Sequence, residues 1–283
     1  MTLTVTAAAK LNLYLDITGR RDDGYHLLET VMQSITLSDI VTLSLDEGNG
    51  ITVTCDMPSI PCDEKNIAYK AAERYLKAAG IEKKVGIEIQ KRIPSGAGMG
   101  GGSADAAAVL AGLDKMLGSP LDEERLYSIA AEIGADVPFC LVGGTKLCTG
   151  IGEVMSDTYE VKESFFLVVM PDFTCPTGAA YGRYDNSPVS PKNAVKEFEL
   201  SVKNGSFASA MYNIFEVLYA DKRIADIKNK LIAAGAEGAM LTGSGAAVFG
   251  VFTAEEAALK AAGCFPTYFT SVCRPTKKNI IFS

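Results

Sequence analysis

The chain has 283 residues, a formal charge of −7, a pI near 5.0, 48% hydrophobic residues and no tryptophan. That acidic balance excludes a dedicated nucleic-acid binder, so an anionic ligand must be met by a local positive site. Seven cysteines (55, 62, 140, 148, 175, 264 and 273) without a CxxC pair exclude a zinc site or disulfide framework and predict reduced thiols in a reducing compartment.

This length suits two domains, expected at 1–155 and 156–283. Lys10 interrupts the early apolar run, which does not read as a signal peptide. The apolar stretch Phe165–Met170 is too short to cross a bilayer. The expectation is a cytoplasmic protein with no membrane or nucleic-acid partner, as a monomer or weak homodimer.

Residues 2–17 alternate as a strand around Leu11, Leu13 and Leu15, and GRRDDGYH (19–26) reads as a charged turn. MQSITLSDIVTLSLD and ITVTC supply further short strands. Asp63 opens a helix with Ile67, Ala71, Tyr75 and Ala79 on one face and Gly80 as its stop. VGIEIQKRI (85–93) is a strand that leads into a glycine-rich loop. Helices are predicted over 103–117 and 122–133, followed by loop and strand pieces to about residue 155.

FFLVVM (165–170) reads as a buried strand, and 206–220 and 222–234 as helices. AMLTGSGAAVFGVF (239–252) gives two β runs around a Gly-Ser-Gly turn, TAEEAALKAAG a helix and FTSVC a last strand. The order β, helices, β, β, helix, β suits a ferredoxin-like layer. Residues 156–164 and 185–205 are expected as loops.

The loop PSGAGMGGGSADAA places five glycines within Gly96–Gly102, directly before an alanine-rich helix. Exposed amides and a helix dipole both favour phosphate there. A Rossmann reading needs an acid at the end of a second parallel strand, and Asp114 instead falls inside the helix. A Walker loop needs a lysine where Ser103 stands. Packing alone is a poor reason for so many glycines, given their entropic cost. The loop therefore reads as a triphosphate cradle whose cation lies elsewhere in the sequence.

This loop resembles the PxxxGLGSSAA-type phosphate loop of the GHMP kinase superfamily, which includes galactokinase, homoserine kinase and mevalonate kinase. AKLNLYLDITGRRDDGYHLLETVMQSI (9–35), GADVPF (134–139) and LTGSGAAVFG (241–250) agree with the branch of that superfamily in the non-mevalonate isoprenoid route. The resemblance implies an α+β GHMP kinase fold: an N-terminal β/α domain (ribosomal protein S5 domain 2-like) packed on a C-terminal ferredoxin-like domain, with the site in the cleft. It further implies ATP with Mg²⁺, and phosphorylation of the tertiary 2-hydroxyl of a small polyol carrying a cytidine diphosphate group.

The resemblance also assigns residues. Lys10, with Asn12 on the same strand face, approaches the transferred phosphate and the acceptor, and Asp136 is the candidate base. Asp136 could equally cap a short helix begun near Pro138, and the two roles are compatible. Pro94, Ser95, Gly96, Ala97, Gly98, Met99, Gly100, Gly101, Gly102, Ser103 and Ala104 would hold ATP, with Ser103 either on phosphate or serving as the helix cap. Asn66 and Lys70 lie in the segment placed beside the adenosine, or on a solvated helix face. His26 would bind cytosine, with Tyr25 stacking on the base, Tyr181 opposite and Thr177 nearby. Gly243 and Ser244, with Gly245, either shape the acceptor site or form a plain turn. No glutamate matches the Mg²⁺ ligand of other superfamily members, so the metal ligands are unassigned.

Overall fold

The computed structural model describes residues 1–219 and 221–283. The 206–220 helix prediction touches residue 220, which lies outside the described residues.

The N-terminal half is built on a long hairpin, β1 (Thr2–Arg20) and β2 (His26–Asp46). Beside it lie β3 (Gly50–Cys55), helix α1 (Ile67–Ala79) and β4 (Lys84–Gln90). Then follow α2 (Gly101–Met116), α3 (Glu123–Ile133), α4 (Val137–Val142), β5 (Thr145–Thr149) and β6 (Val154–Asp157). The second half comprises β7 (Phe165–Met170), α5 (Thr177–Asn186), α6 (Val195–Lys203), β8 (Tyr212–Asn213) and α7 (Ile214–Tyr219). It continues through α8 (Lys222–Ala233), β9 (Gly238–Leu241), β10 (Val248–Phe252), α9 (Glu255–Ala262), β11 (Phe269–Cys273) and β12 (Ile280–Phe282).

One sheet runs β12-β1-β2-β4-β3, with β5 and β6 continuing from β2 and β8 beside β1. The other runs β11-β7-β10-β9. Counted within that half, the order is fourth, first, third, second, the split βαβ arrangement expected from the sequence. Both halves thus have a layered α+β architecture, as the resemblance implies.

Several elements differ from their sequence prediction. The segments around 32–46 belong to a single strand, β2, that pairs with β1 from Thr2–Ser44 to Arg20–His26. In β1, Ala7 through Ile17 is buried without interruption, because the strand is covered on both faces. Strands buried on both sides lose the wet face that alternation assumes. Residues 206–219 are broken into a short 3₁₀ turn, β8 and α7, and α5 and α6 occupy much of the expected 185–205 loop. The expected boundary near 155 falls inside β6, which pairs with β5. The chain also returns to the first sheet through β12, which pairs with Val5–Ala7.

Helix α2 explains its own composition. Its alanines at 104, 106, 107 and 108 are fully buried, and a Cβ on Gly112 would collide with Leu43 of β2. Small residues let the helix lie directly on the sheet, and this fixes the height of the glycine loop that precedes it. Helix α1 ends as predicted at Gly80, in a left-handed cap whose N–H bonds Leu76 and Lys77 carbonyls.

Candidate active site

A cleft of about 800 Å³ is lined by the glycine loop, the face of β1 carrying Lys10 and Asn12, Asp136, the Gly243-Ser244 turn, and His26 with Tyr181. The residues assigned to a site from sequence line it, except Lys70, Ala104 and Gly245. Ala104 is fully buried in α2, and its N–H closes the first helical bond to Gly100 C=O (2.8 Å), so it faces the core and not a nucleotide.

The glycine loop is a chain of tight turns with Gly96, Gly98 and Gly100 in the left-handed region. Gly100 occupies the cap position of α2, so Ser103 lies in the first turn and is not the cap. The N–H groups of Gly101, Gly102 and Ser103 precede the first helical hydrogen bond and remain available at the dipole's positive end.

The loop rests backbone to backbone on the 241–247 turn. Ala246 and Ala247 N–H donate to the Gly96 and Ala97 carbonyls (3.3 and 3.2 Å). A Cβ on Gly98 would collide with the Thr242 carbonyl oxygen, and one on Gly243 would sit 2.8 Å from the Gly98 carbonyl. Asn213, buried on β8, holds the turn from beneath by donating to the Leu241 and Gly243 carbonyls (2.8 and 2.9 Å). Gly98→Ala, with φ at +74° and no room for a methyl, is expected to lower the melting temperature by several degrees and to weaken nucleotide binding. A thermal melt and an ATP titration check both.

Lys10 and Asp136 meet in the cleft, Nζ to Oδ2, at 3.5 Å. Lys10 is only 4% exposed. Its Nζ also donates to Asn12 Oδ1 at 2.6 Å, and Asn12 in turn donates to Thr30 Oγ1 at 2.8 Å. Thr30 donates to the Tyr14 carbonyl at 2.6 Å, so this polar chain ends on the backbone of β1. The Lys10 N–H bonds Met99 C=O of the glycine loop (3.0 Å), which registers the ammonium against the loop. The Lys10 stem passes where a side chain on Gly100 would stand. Asp136 begins α4 but makes no side-chain capping bond, so its carboxylate is not consumed by the helix.

Asn66 is differently occupied. It caps α1, accepting from Ala68 N–H at 2.9 Å and donating to Pro61 C=O at 2.7 Å, so its amide is engaged although it borders the cleft.

On the cytosine-binding side proposed from sequence, His26 stacks on Tyr181 with ring centroids 4.7 Å apart, and Tyr184 meets it edge-on. His26 Nε2 lies 2.8 Å from Asp185 Oδ1, and because a carboxylate only accepts, Nε2 carries the hydrogen. Tyr25 is 59% exposed at the rim. Burial, followed by the charge of Asp136, pushes the Tyr181 phenol up to about 12, so it stays neutral. Thr177 and Ser244 hydroxyls lie 3.0 Å apart and join α5 to the turn. Asp185, Thr30, Thr242 and Asn213 were missed by sequence reasoning. Each is a common polar residue whose meaning comes only from its partner far away in the chain.

Among the described residues no cluster of three or more histidine, cysteine or acidic side chains is placed to hold a metal ion. All seven cysteines are free.

The GHMP kinases N-terminal domain matches residues 66–144 and the GHMP kinases C-terminal domain residues 202–269. The chain belongs to the GHMP kinases, small-molecule kinases that use ATP. Its relatives include the 4-diphosphocytidyl-2-C-methyl-D-erythritol kinase of Caldicellulosiruptor saccharolyticus, 39% identical over 99% of both chains. That of Syntrophomonas wolfei is 41% identical over 95% of this chain and 96% of its own. A solved 4-(cytidine 5′-diphospho)-2C-methyl-D-erythritol kinase superposes with a TM-score of 0.81 at 30% identity, covering 95% of this chain and 98% of its own. The homoserine kinase of Cytophaga hutchinsonii shares the fold, with a TM-score of 0.78 at 21% identity over 100% of this chain and 97% of its own.

Proposed function

We propose that this protein phosphorylates the 2-hydroxyl of 4-diphosphocytidyl-2-C-methyl-D-erythritol with ATP, giving the 2-phosphate and ADP on the methylerythritol phosphate route to isoprenoid precursors. The observation that carries the reading is the convergence, in one cleft, of the Lys10–Asp136 pair, the glycine loop and the His26–Tyr181 stack.

The acceptor oxygen attacks the γ-phosphorus, the bond from that phosphorus to the β–γ bridging oxygen breaks, and ADP departs. The hydroxyl proton passes to the Asp136 carboxylate, which also orients the oxygen. Lys10 supplies fixed positive charge where negative charge accumulates, held in place by Asn12 and the Met99 carbonyl. The free amides at the start of α2 receive the nucleotide's phosphates. Among the described residues no cluster of three or more acidic, histidine or cysteine side chains is placed to cage Mg²⁺, so the phosphates and water would supply most of the ligands of a nucleotide-bound ion. Its chemistry is charge neutralisation on the phosphates.

The cytosine takes the place beside Tyr181 that the His26 ring fills in this structure, with His26 turned to the base edge and Tyr25 free at the rim to close over it. Thr177, Gly243 and Ser244 border the acceptor. A cytoplasmic location and a monomeric or weakly dimeric state belong to the same proposal. Among the described residues no helix is long and apolar enough to cross a membrane.

The test is ADP release with Mg·ATP and the cytidine-bearing polyol, homoserine or mevalonate offered separately. Turnover is expected on the cytidine substrate. Tyr181→Ala should raise its KM about 5- to 150-fold, the equivalent of ~1–3 kcal/mol of base stacking, and leave the KM for ATP unchanged. Turnover on another alcohol alone would overturn the substrate assignment and keep the kinase.

A further inference from the structure

A second group of charged side chains, outside the catalytic pair, is buried at the base of the glycine loop. Lys91, the residue after β4, has its Nζ between Asp39 of β2 and Asp105 of α2. The ammonium bonds Asp39 Oδ2 and, at 2.7 Å, Asp105 Oδ2. The three side chains are 3%, 0% and 5% exposed. Asp39 also accepts the N–H groups of Arg92 and Ile93, at 2.6 and 2.8 Å, through its other oxygen.

We infer that Lys91 is a positioning residue for ATP: clamped between Asp39 and Asp105, it closes the base of the glycine loop and fixes its phosphate-binding amides. The inference rests on the reading of that loop as the nucleotide's phosphate site. The whole loop lies between Lys91 and Asp105, fourteen residues apart, so their ion pair ties its two ends. Asp39 ties the entry of the loop to the sheet through two backbone amides. Nζ would lie 3.3 Å from a Cβ on Gly101, directly under the first turn of α2.

Charge explains why Lys91 braces the loop and does not bind phosphate itself. It borders the cleft, yet two carboxylates already engage its ammonium. Burial pulls that ammonium down, and the two carboxylates more than offset it, so the lysine stays charged. Lys10, beside the loop and paired among the described residues only with Asp136, is then better placed to face a phosphate than Lys91. Asp105 Oδ1 is buried without a partner. Burial raises the Asp105 carboxyl against the pull of Lys91, as one expects where two acids share one lysine.

Lys91→Met strands two buried carboxylates and is expected to reduce stability. The decisive protein is therefore Lys91→Met with Asp105→Asn, which leaves Asp39 bonded to its two amides. Mg·ATP affinity by titration, and both KM values with kcat, would be measured at a temperature where this variant is folded. We expect the KM and Kd for ATP to rise about tenfold or more, with the KM for the acceptor unchanged. A folded variant with wild-type ATP affinity would overturn the inference and reduce the triad to a stability element. A wild-type protein that fails to bind Mg·ATP would overturn the loop reading and the inference together.

Discussion

Asp136→Asn is expected to lower kcat by about 10²- to 10⁴-fold, the usual contribution of a positioned general base. The amide keeps the size of the carboxylate and can still meet the acceptor hydroxyl, but it cannot take the proton. Because Asp136 makes no capping bond to α4 and is about a third exposed (31%), its replacement should not disturb that helix. The KM for ATP should stay near the wild-type value, since the loop amides are untouched. Steady-state kinetics on a variant shown to be folded at the assay temperature would check this. A variant with wild-type kcat would show that Asp136 orients without accepting the proton.

Lys10→Met is expected to be as damaging, by about 10²- to 10³-fold in kcat, because it removes preorganised charge from the site of phosphoryl transfer. Methionine preserves the apolar stem that passes Gly100, so packing against the loop survives. The variant leaves Asn12 Oδ1 without its donor and Asp136 without its cation. Some loss of thermal stability should accompany the kinetic loss, as it should in Asp136→Asn, which leaves the buried Lys10 ammonium without its anion. Measuring kcat and melting temperature for the two variants side by side separates the roles. Equal kcat in Lys10→Met and the wild type would mean that the transferred phosphoryl group is stabilised by another cation.

Much of this was legible in the sequence because it lay in local signals. The glycine loop, the Gly80 cap, the β-turn-β around Gly243–Gly245 and the strand β4 that leads into the loop each occupy a short window with its own chemistry. Lys10 and Asp136 were reached through resemblance, since nothing local marks a lysine on a strand as facing a phosphate. The illegible parts share a cause: they depend on what comes to lie across from a residue. Ala104 belongs to the loop motif and yet turns inward, because the helix rotates it onto the sheet. Asn66 sits in the segment expected beside the adenosine and borders the cleft, but its role in capping α1 and holding the Pro61 carbonyl shows only in the structure. The continuous burial of β1, the pairing of β8 with it, and the Lys91 triad are contacts between distant segments for which the chain carries no adjacent sign.

The seam between the glycine loop and the 241–247 turn has a consequence for how an enzyme of this shape can change. Main chain meets main chain there, with almost no side chain intervening, so ordinary substitution has little to vary. A mutation at Gly98 alters the fit of the two halves and offers no side chain with which to retune the alcohol accepted. New preferences would have to be written at the aromatic margin, in Tyr25, His26, Tyr181 and Asp185, where side chains face the cleft. The molecule is thereby divided into a part that natural variation can explore and a part that it can only break.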